Sequence, residues 1–109
     1  AYGATADVFI DHGYPYVYNN PELVKEAKTI AKEYLGEENV LDINMRMTAE
    51  DFSYFAQKVP ACYFRLGTRI AGKPITNLHT ANFDVDERCL EHGMGITAFF
   101  AIKGLETIE

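Results

Sequence analysis

Histidines are the side chains of this chain best suited to bind a metal ion, and His79 has the most suggestive setting of the three. It stands at the end of a loop containing Gly, Pro and Thr, after a predicted strand and before a predicted helix. Ligand sites in open α/β sheets collect where strand ends meet loops. A zinc site needs three or four ligands, however, and no HxH, HxxxH or CxxC spacing supplies the others. Spacing alone therefore gives one candidate ligand and leaves an ordinary loop histidine as the alternative.

The other two histidines have settings that favour a structural role. His12 stands between a predicted strand and Gly13, and no second ligand lies at a useful spacing. His92 lies within the predicted last helix, next to Glu91. An acidic neighbour of this kind is common and has no chemical consequence by itself, so we predict that His12 is a surface or interface residue and that His92 has a structural role.

A second candidate site is the predicted helix start at Thr48-Ala49-Glu50-Asp51. The free N–H groups of a helix N-terminus can bind a carboxylate. Two acidic side chains at the same end would repel such an anion unless they turn away. The alternative is an ordinary capped helix, with Thr48 as the N-cap and Asp51 in the reciprocal third position.

Three strands and three helices would have to position these residues, and they alternate along the chain. The strands are predicted from period-two or apolar runs, and the helices from apolar stripes at three- and four-residue steps. The predicted order is strand 4–11, a helix from Asn20 to Gly36, strand 40–43, a helix from Thr48 to Pro60, strand 61–66, and a helix over 87–105. This alternation predicts an α/β fold, with helices packed on a largely parallel or mixed sheet.

The ends of the first helix and the glycines of the last one carry specific local predictions. Asn20 followed by Pro21 is a strong helix start, and Gly36 is suited to the C-terminal end. Gly93 and Gly95 should weaken the last helix by about 1 kcal/mol each relative to Ala. We expect these two glycines to let the helix pack closely on a sheet.

The overall composition is that of an ordinary globular protein, with 48% hydrophobic and 24% charged residues among 109. A net charge of −6 argues against nucleic acid and against an anionic membrane surface as partners. Cys62 and Cys89 are far apart in sequence and are expected to be free thiols in a reducing compartment. The chain begins without Met, as a chain cut from something longer would, and a cytoplasmic location is the default expectation.

Several short segments, taken together, carry a family resemblance. They occur in one order: residues 47–55, Lys58-Val59-Pro60, residues 63–67, Leu78-His79-Thr80 and Phe83-Asp84. This succession resembles the C-terminal portion of the M20 metallopeptidases, in the branch of aminoacylases, hippurate hydrolases and auxin-conjugate hydrolases. The chain departs from the family pattern at Thr48, Ala61 and Ala81, where the family usually has Gly or Ser, Gly, and Pro.

The resemblance implies a catalytic domain with two divalent metal ions (zinc, manganese or nickel) and an inserted lid domain that often dimerises. Residues 1–14 would be the closing strand of the lid, and 15–109 the C-terminal part of a zinc-peptidase-like catalytic domain. His79 matches the family's last metal-ligand histidine. Thr48, Ala49 and Glu50 match a helix start that lines the active site, and we predict that they bind substrate. No catalytic residue is expected in this chain, because the general-base Glu would lie upstream.

By the same resemblance, the complete protein is expected to hydrolyse the amide bond of N-acyl amino acids, as a homodimer joined through the lid. The 109 residues alone are expected to be inactive and to bind no metal tightly. Two alternatives stay open at this point. The parent could be a metallo-carboxypeptidase or dipeptidase of the same family acting on a short peptide, or the chain could be a small acidic interaction module without catalytic activity.

Overall fold

The structure is a computed structural model that describes residues 2–106, and in this range it contains helices and no strand. Its elements are α1 at Pro21–Leu35, a 3₁₀ turn at Glu37–Asn39, α2 at Ser53–Ala56 and α3 at Arg88–Glu106. The two long helices pack on each other, while α2 is a single turn between long irregular segments. None of the described helices is long and apolar enough to cross a bilayer.

The predicted sheet is not seen within residues 2–106. Segments 4–11, 40–43 and 61–66 were expected to pair, but none of them forms a β-ladder. A strand exists only where a second edge accepts its hydrogen bonds, and these three segments do not supply edges to one another. The alternating face of 4–11 is correspondingly uncovered, with Val8 79% and Ile10 67% exposed.

Both ends of α1 form as the local sequence predicts. The Asn20 side chain accepts hydrogen bonds from the backbone N–H groups of Glu22 and Leu23, each at 3.1 Å, and Pro21 occupies the first turn. At the other end Gly36 adopts φ 90°, and its N–H donates to the carbonyl of Lys32. The left-handed half of the φ range suits a residue without a Cβ, which explains the glycine.

A small core lies between α1 and α3. Ile96 of α3 is 2% exposed, and Ile30 and Ala31 of α1 are buried against the same layer. The ring of Tyr34 on α1 lies 5.3 Å from that of Phe99 on α3, centre to centre. Apolar burial and aromatic contact therefore hold the two long helices together.

The glycines of α3 provide the close approach that was expected of them, but to different partners. A Cβ on Gly95 would stand 1.8 Å from Oη of Tyr34, and a Cβ on Gly93 would stand 2.9 Å from Cδ2 of Leu66. Gly95 therefore accommodates a tyrosine ring of α1, and Gly93 accommodates a side chain of the 61–66 segment. The prediction that both pack on a sheet is wrong for the described residues.

The chain is much more open than a compact domain of its size. The radius of gyration is 19.4 Å, against about 13 Å expected for a compact domain of this length. Large apolar side chains such as Phe9, Met45 and Met47 are more than 90% exposed. The α1–α3 layer therefore carries most of the burial, and the segments with candidate site residues lie outside it.

Candidate functional site

The first candidate segment, Thr48 to Asp51, does not start a helix in the structure. Helix α2 begins at Ser53, and Thr48 is exposed and does not cap it. The reason lies at Glu50: its carboxylate accepts the N–H of Phe52 at 3.2 Å, and its carbonyl accepts the N–H of Ser53 at 3.2 Å. These two bonds open the turn that runs into α2, so helix-type hydrogen bonding starts at Glu50 and not at Thr48. The predicted cap at Thr48 is corrected accordingly, and a four-residue helix provides no anion site.

Glu50 is instead joined to a distant part of the chain through Tyr63. The Tyr63 hydroxyl donates to Oε2 of Glu50 at 2.8 Å. The Tyr63 ring also lies 5.5 Å from the ring of Phe52, whose N–H holds the other carboxylate oxygen. The Glu50 carboxylate therefore has a hydrogen-bond donor on each oxygen, both from its own chain.

The backbone of Tyr63 is itself fixed by the side chain of Asn19. The Tyr63 N–H donates to Oδ1 of Asn19 at 2.7 Å, and Nδ2 of Asn19 donates to the Tyr63 carbonyl at 2.9 Å. The amide of Asn19 thus makes the pair of bonds that a neighbouring strand residue would make. The next N–H along, that of Asn20, donates to the carbonyl of Ala61 at 2.9 Å. Segment 61–63 is therefore anchored to the residues that start α1.

The charges at this contact favour an ionised Glu50. The N–H of Phe52 and then the hydroxyl of Tyr63 hold the pKa of the Glu50 carboxyl below its ordinary value. The same hydrogen bond to Glu50 is the main reason that the pKa of the Tyr63 phenol is raised. Near neutral pH the contact is therefore a neutral phenol donating to a carboxylate, which is a charge-assisted hydrogen bond.

His79, the predicted metal ligand, lies in an exposed turn with an unusual backbone. Its φ is 62°, and within residues 2–106 no other residue except glycine has a positive φ. The hydroxyl of Thr80 donates to the carbonyl of Asn77 at 2.7 Å, and the N–H of Phe83 donates to the carbonyl of Thr80 at 3.1 Å. A left-handed conformation costs roughly 1–2 kcal/mol for a residue with a Cβ. The turn therefore holds the histidine in a conformation that its own backbone disfavours.

The loops on either side of His79 are tied back to each other. Lys73 and Asp84 form an ion pair at 3.4 Å, and the N–H of Asp86 donates to the carbonyl of Thr68 at 2.9 Å. These two ties close the base of the loop that carries His79. The outward position of the histidine is thus set by contacts at the foot of its loop.

Asp86 has a second role that the sequence reading missed. Its carboxylate accepts the backbone N–H of Arg88, the first residue of α3, at 3.1 Å, and the Arg88 guanidinium at 2.9 Å. These bonds to Arg88 lower the pKa of the Asp86 carboxyl to about 2. An Asp two residues before a helix was the available signal, since Asp is among the preferred capping residues.

The described residues do not assemble a metal site by themselves. Within 2–106 no group of three or more His, Cys, Asp or Glu side chains is close enough to hold an ion. No hydrogen bond or ion pair joins His79 to the Thr48–Glu50 segment in that range, and His12 and His92 are both exposed. Cys62 and Cys89 are free thiols, and burial raises the pKa of Cys62. The donors within residues 2–106 therefore do not form a complete metal site on their own.

Comparison with known proteins identifies the family. Residues 4–103 match the family model described as peptidase family M20/M25/M40. The chain belongs to this family. The resemblance read from the order of the motifs is thereby confirmed, over nearly the whole chain.

Similar proteins include a carboxypeptidase, a deacetylase and an amino acid hydrolase. Thermostable carboxypeptidase 2 of Saccharolobus solfataricus is 41% identical over 104 residues, which are 94% of this chain and 26% of that protein. N-acetyldiaminopimelate deacetylase of Lactobacillus helveticus is 37% identical, covering 84% of this chain and 22% of that protein. IAA-amino acid hydrolase ILR1-like 2 of Arabidopsis thaliana is 30% identical, covering 84% of this chain and 21% of that protein. The M20 chain thus spans about a quarter of the length of these curated relatives. No solved structure matches it significantly.

Proposed function

We propose that this chain is the C-terminal part of a two-metal amidohydrolase that cleaves the amide bond of N-acyl amino acids, with His79 as one metal ligand. Family membership supports a hydrolase acting on C–N bonds. The observation that favours His79 is its backbone: an exposed histidine is held at φ 62° in a braced turn. Sparsely populated conformations cluster at functional sites, where a gain in function compensates for the strain.

His79 would supply one imidazole, and the remaining ligands and the general-base Glu would come from residues outside these 109. The metal pair would be zinc, manganese or nickel. When bound, such ions polarise a carbonyl and lower the pKa of water. This chain would present the imidazole outward on a closed loop, where it could bind a metal ion together with ligands from elsewhere in the protein. Residues 1–14 would close the lid domain that joins two protomers.

The same proposal assigns residues 15–109 to the catalytic domain and accounts for the missing sheet. Segment 61–66 has its peptide groups engaged on one side by Asn19 and Asn20. Strand residues of the complete protein would pair with it and with 40–43, giving the largely parallel or mixed sheet of the predicted α/β fold. Apolar side chains left exposed on these segments, such as Leu41 at 77%, would then be covered.

Two substrate classes are consistent with the family, and the relatives divide between them. An IAA-amino acid hydrolase and an N-acetyldiaminopimelate deacetylase have names that describe cleavage of acylated amino acids. The 41% identity to a thermostable carboxypeptidase favours a second candidate, a metallo-carboxypeptidase acting on short peptides. In both cases Thr48 and Ala49, exposed in the irregular segment before α2, are the residues that we propose to contact substrate.

The test uses the complete protein in which this sequence occurs, with His79→Gly as the variant. Glycine suits the left-handed backbone, so this change removes the imidazole without adding strain. His92→Ala is the matched control, because His92 is an exposed histidine on α3. Metal content is measured by plasma mass spectrometry, and hydrolysis is compared on N-benzoylglycine and on an N-blocked dipeptide.

We expect His79→Gly to lose about one of two metal equivalents per chain and most activity, while His92→Ala retains both. Faster cleavage of N-benzoylglycine supports the amidohydrolase, and faster release of the C-terminal residue from the dipeptide supports the carboxypeptidase. Retention of both metal equivalents and full activity in His79→Gly would exclude His79 as a ligand.

A further inference from the structure

We propose that Tyr63 and Asn19 are positioning residues that fix the Glu50 carboxylate and, through it, Thr48 and Ala49, which lead into the turn over residues 50–53. The proposal rests on the proposed function in one respect, namely that Thr48 and Ala49 face the substrate. It changes the role of Glu50 from a substrate contact to an internal support. The contacts that carry it lie entirely within the described residues.

Tyr63 is suited to this role because it is held at three points. Asn19 bonds both its N–H and its carbonyl, at 2.7 and 2.9 Å, and Glu50 accepts its hydroxyl at 2.8 Å. Neither backbone bond comes from a regular element: the side-chain amide of Asn19 holds both peptide groups of Tyr63, and the Asn20–Ala61 bond anchors the segment two residues before it. Loss of that amide would release the tyrosine backbone and with it the hydroxyl.

Glu50 is suited to support rather than to contact substrate because both of its oxygens are already engaged. Oε1 accepts the N–H of Phe52 and Oε2 accepts the hydroxyl of Tyr63. Two donors on opposite oxygens leave the carboxylate no freedom to rotate without breaking one of them. By contrast, Thr48 and Ala49 are exposed and lead into this turn. The carboxylate therefore fixes the turn over residues 50–53, and the two residues before it are the ones exposed to solvent.

A fixed turn matters for catalysis because misplacement of a substrate-contacting group by as little as an ångström lowers the rate strongly. The aromatic contact between Phe52 and Tyr63, with ring centres 5.5 Å apart, keeps the two segments together even when the hydroxyl is removed. Tyr63→Phe therefore separates the positioning bond from the packing. The chain also supplies a matched control in Tyr16→Phe, because Tyr16 is 76% exposed.

The experiment compares kcat and KM of the complete protein for N-benzoylglycine and for the N-blocked dipeptide, using whichever is cleaved. Tyr63→Phe should raise KM by about tenfold, as expected for one hydrogen bond to a charged group, and Tyr16→Phe should not. Glu50→Gln offers one acceptor oxygen for the two donors, so its KM should lie between those of wild type and Glu50→Ala, and Glu50→Ala should resemble Tyr63→Phe. Tyr63→Phe in the Glu50→Ala background should add nothing further, because the two residues act through one bond.

Two readouts do not depend on the reaction. Hydrogen exchange of the Phe52 amide, which donates to Glu50, should become faster in Tyr63→Phe and in Asn19→Ala but not in Tyr16→Phe. The phenol of Tyr63, followed as the absorbance difference that Tyr63→Phe makes in each background, should titrate at lower pH in Glu50→Gln than in wild type. An inactive complete protein that still shows these two effects would refute the proposed function and leave the positioning role standing. Unchanged exchange, or additive effects of Tyr63→Phe and Glu50→Ala, would overturn the positioning role.

Discussion

Gly95 gives the sharpest test of how α1 and α3 pack, because the hydroxyl end of the Tyr34 side chain lies against it. A Cβ added there would stand 1.8 Å from Oη, 2.7 Å from Cζ and 3.2 Å from Cε1 of Tyr34. Contacts under 3.0 Å cannot persist, so Gly95→Ala must drive the ring out of its place. The ring then leaves its 5.3 Å contact with Phe99. We therefore expect Gly95→Ala to destabilise the helix pair.

The size of the effect follows from three opposing terms. Replacing a helical glycine by Ala favours folding by about 1 kcal/mol. Overpacking opposes it by about 1–3 kcal/mol, and loss of the aromatic contact by about 0.5–1.5 kcal/mol. Tyr34 is 41% exposed and can swing toward solvent, which places the net loss near the lower end, about 1 kcal/mol.

The matched control is Gly104→Ala in the same helix. A Cβ on Gly104 meets nothing within 4 Å, so this variant should gain about 0.5–1 kcal/mol from helix propensity alone. Urea unfolding followed by far-ultraviolet circular dichroism should therefore separate the two variants by about 2 kcal/mol. In a Tyr34→Ala background the two alanines should agree within about 0.5 kcal/mol. Equal stabilities of Gly95→Ala and Gly104→Ala with Tyr34 present would refute the contact.

Three further outcomes follow from single side chains. Ser53 is fully buried and its hydroxyl has no hydrogen-bond partner among the described residues, so Ser53→Ala should leave stability unchanged or raise it by up to about 1 kcal/mol in urea unfolding. Asp86 has a folded pKa of about 2, below its ordinary 3.8, so the stability that it contributes is present above pH 3.8 and is lost as pH falls toward 2. In Asp86→Asn the melting temperature should therefore depend less on pH between 3.8 and 2. An unchanged acid dependence would contradict this. His79→Gly relieves the backbone at φ 62° and should raise the free energy of unfolding by about 0.5–1 kcal/mol, whereas His79→Ala should not.

The parts of the fold that could be predicted are those decided by neighbours in sequence. Asn20 before Pro21 and Gly36 after the apolar stripe bound α1 in the structure because a cap needs only residues within one turn. The last helix was expected over 87–105 and spans Arg88–Glu106, within the usual uncertainty of helix ends. The helix start at Thr48 was misplaced because the Glu50 side chain, two residues on, takes the backbone bond that a capped helix would have used.

The candidate site could be found in sequence only through the order of its motifs. His79 lies in a polar loop with no other metal-ligating residue at a ligand spacing, so the loop sequence alone does not predict a metal site. Its positive φ has no signature in composition either. The contacts of Tyr63 were equally hidden: its partners Asn19 and Glu50 lie 44 and 13 residues away, and no periodicity relates them. The sheet failed as a prediction for the same reason, since strand pairing depends on partners that local patterns do not specify.

One extended stretch, residues 61–68, links both candidate segments to the helical layer. At its start, Tyr63 holds Glu50 and is anchored by Asn19. At its end, the carbonyl of Thr68 accepts the N–H of Asp86, at the foot of the His79 loop.

Between these ends, Leu66 lies over Gly93 and the ring of Phe64 lies 5.5 Å from that of Phe100, so the stretch is fixed to α3 along its length. Five residues of extended chain span at most about 17 Å. The spacing between the Glu50 turn and the foot of the His79 loop is therefore limited by a short segment that the α1–α3 layer holds in place. This is why the packing of Gly93 and Gly95 bears on the candidate site although neither glycine touches it.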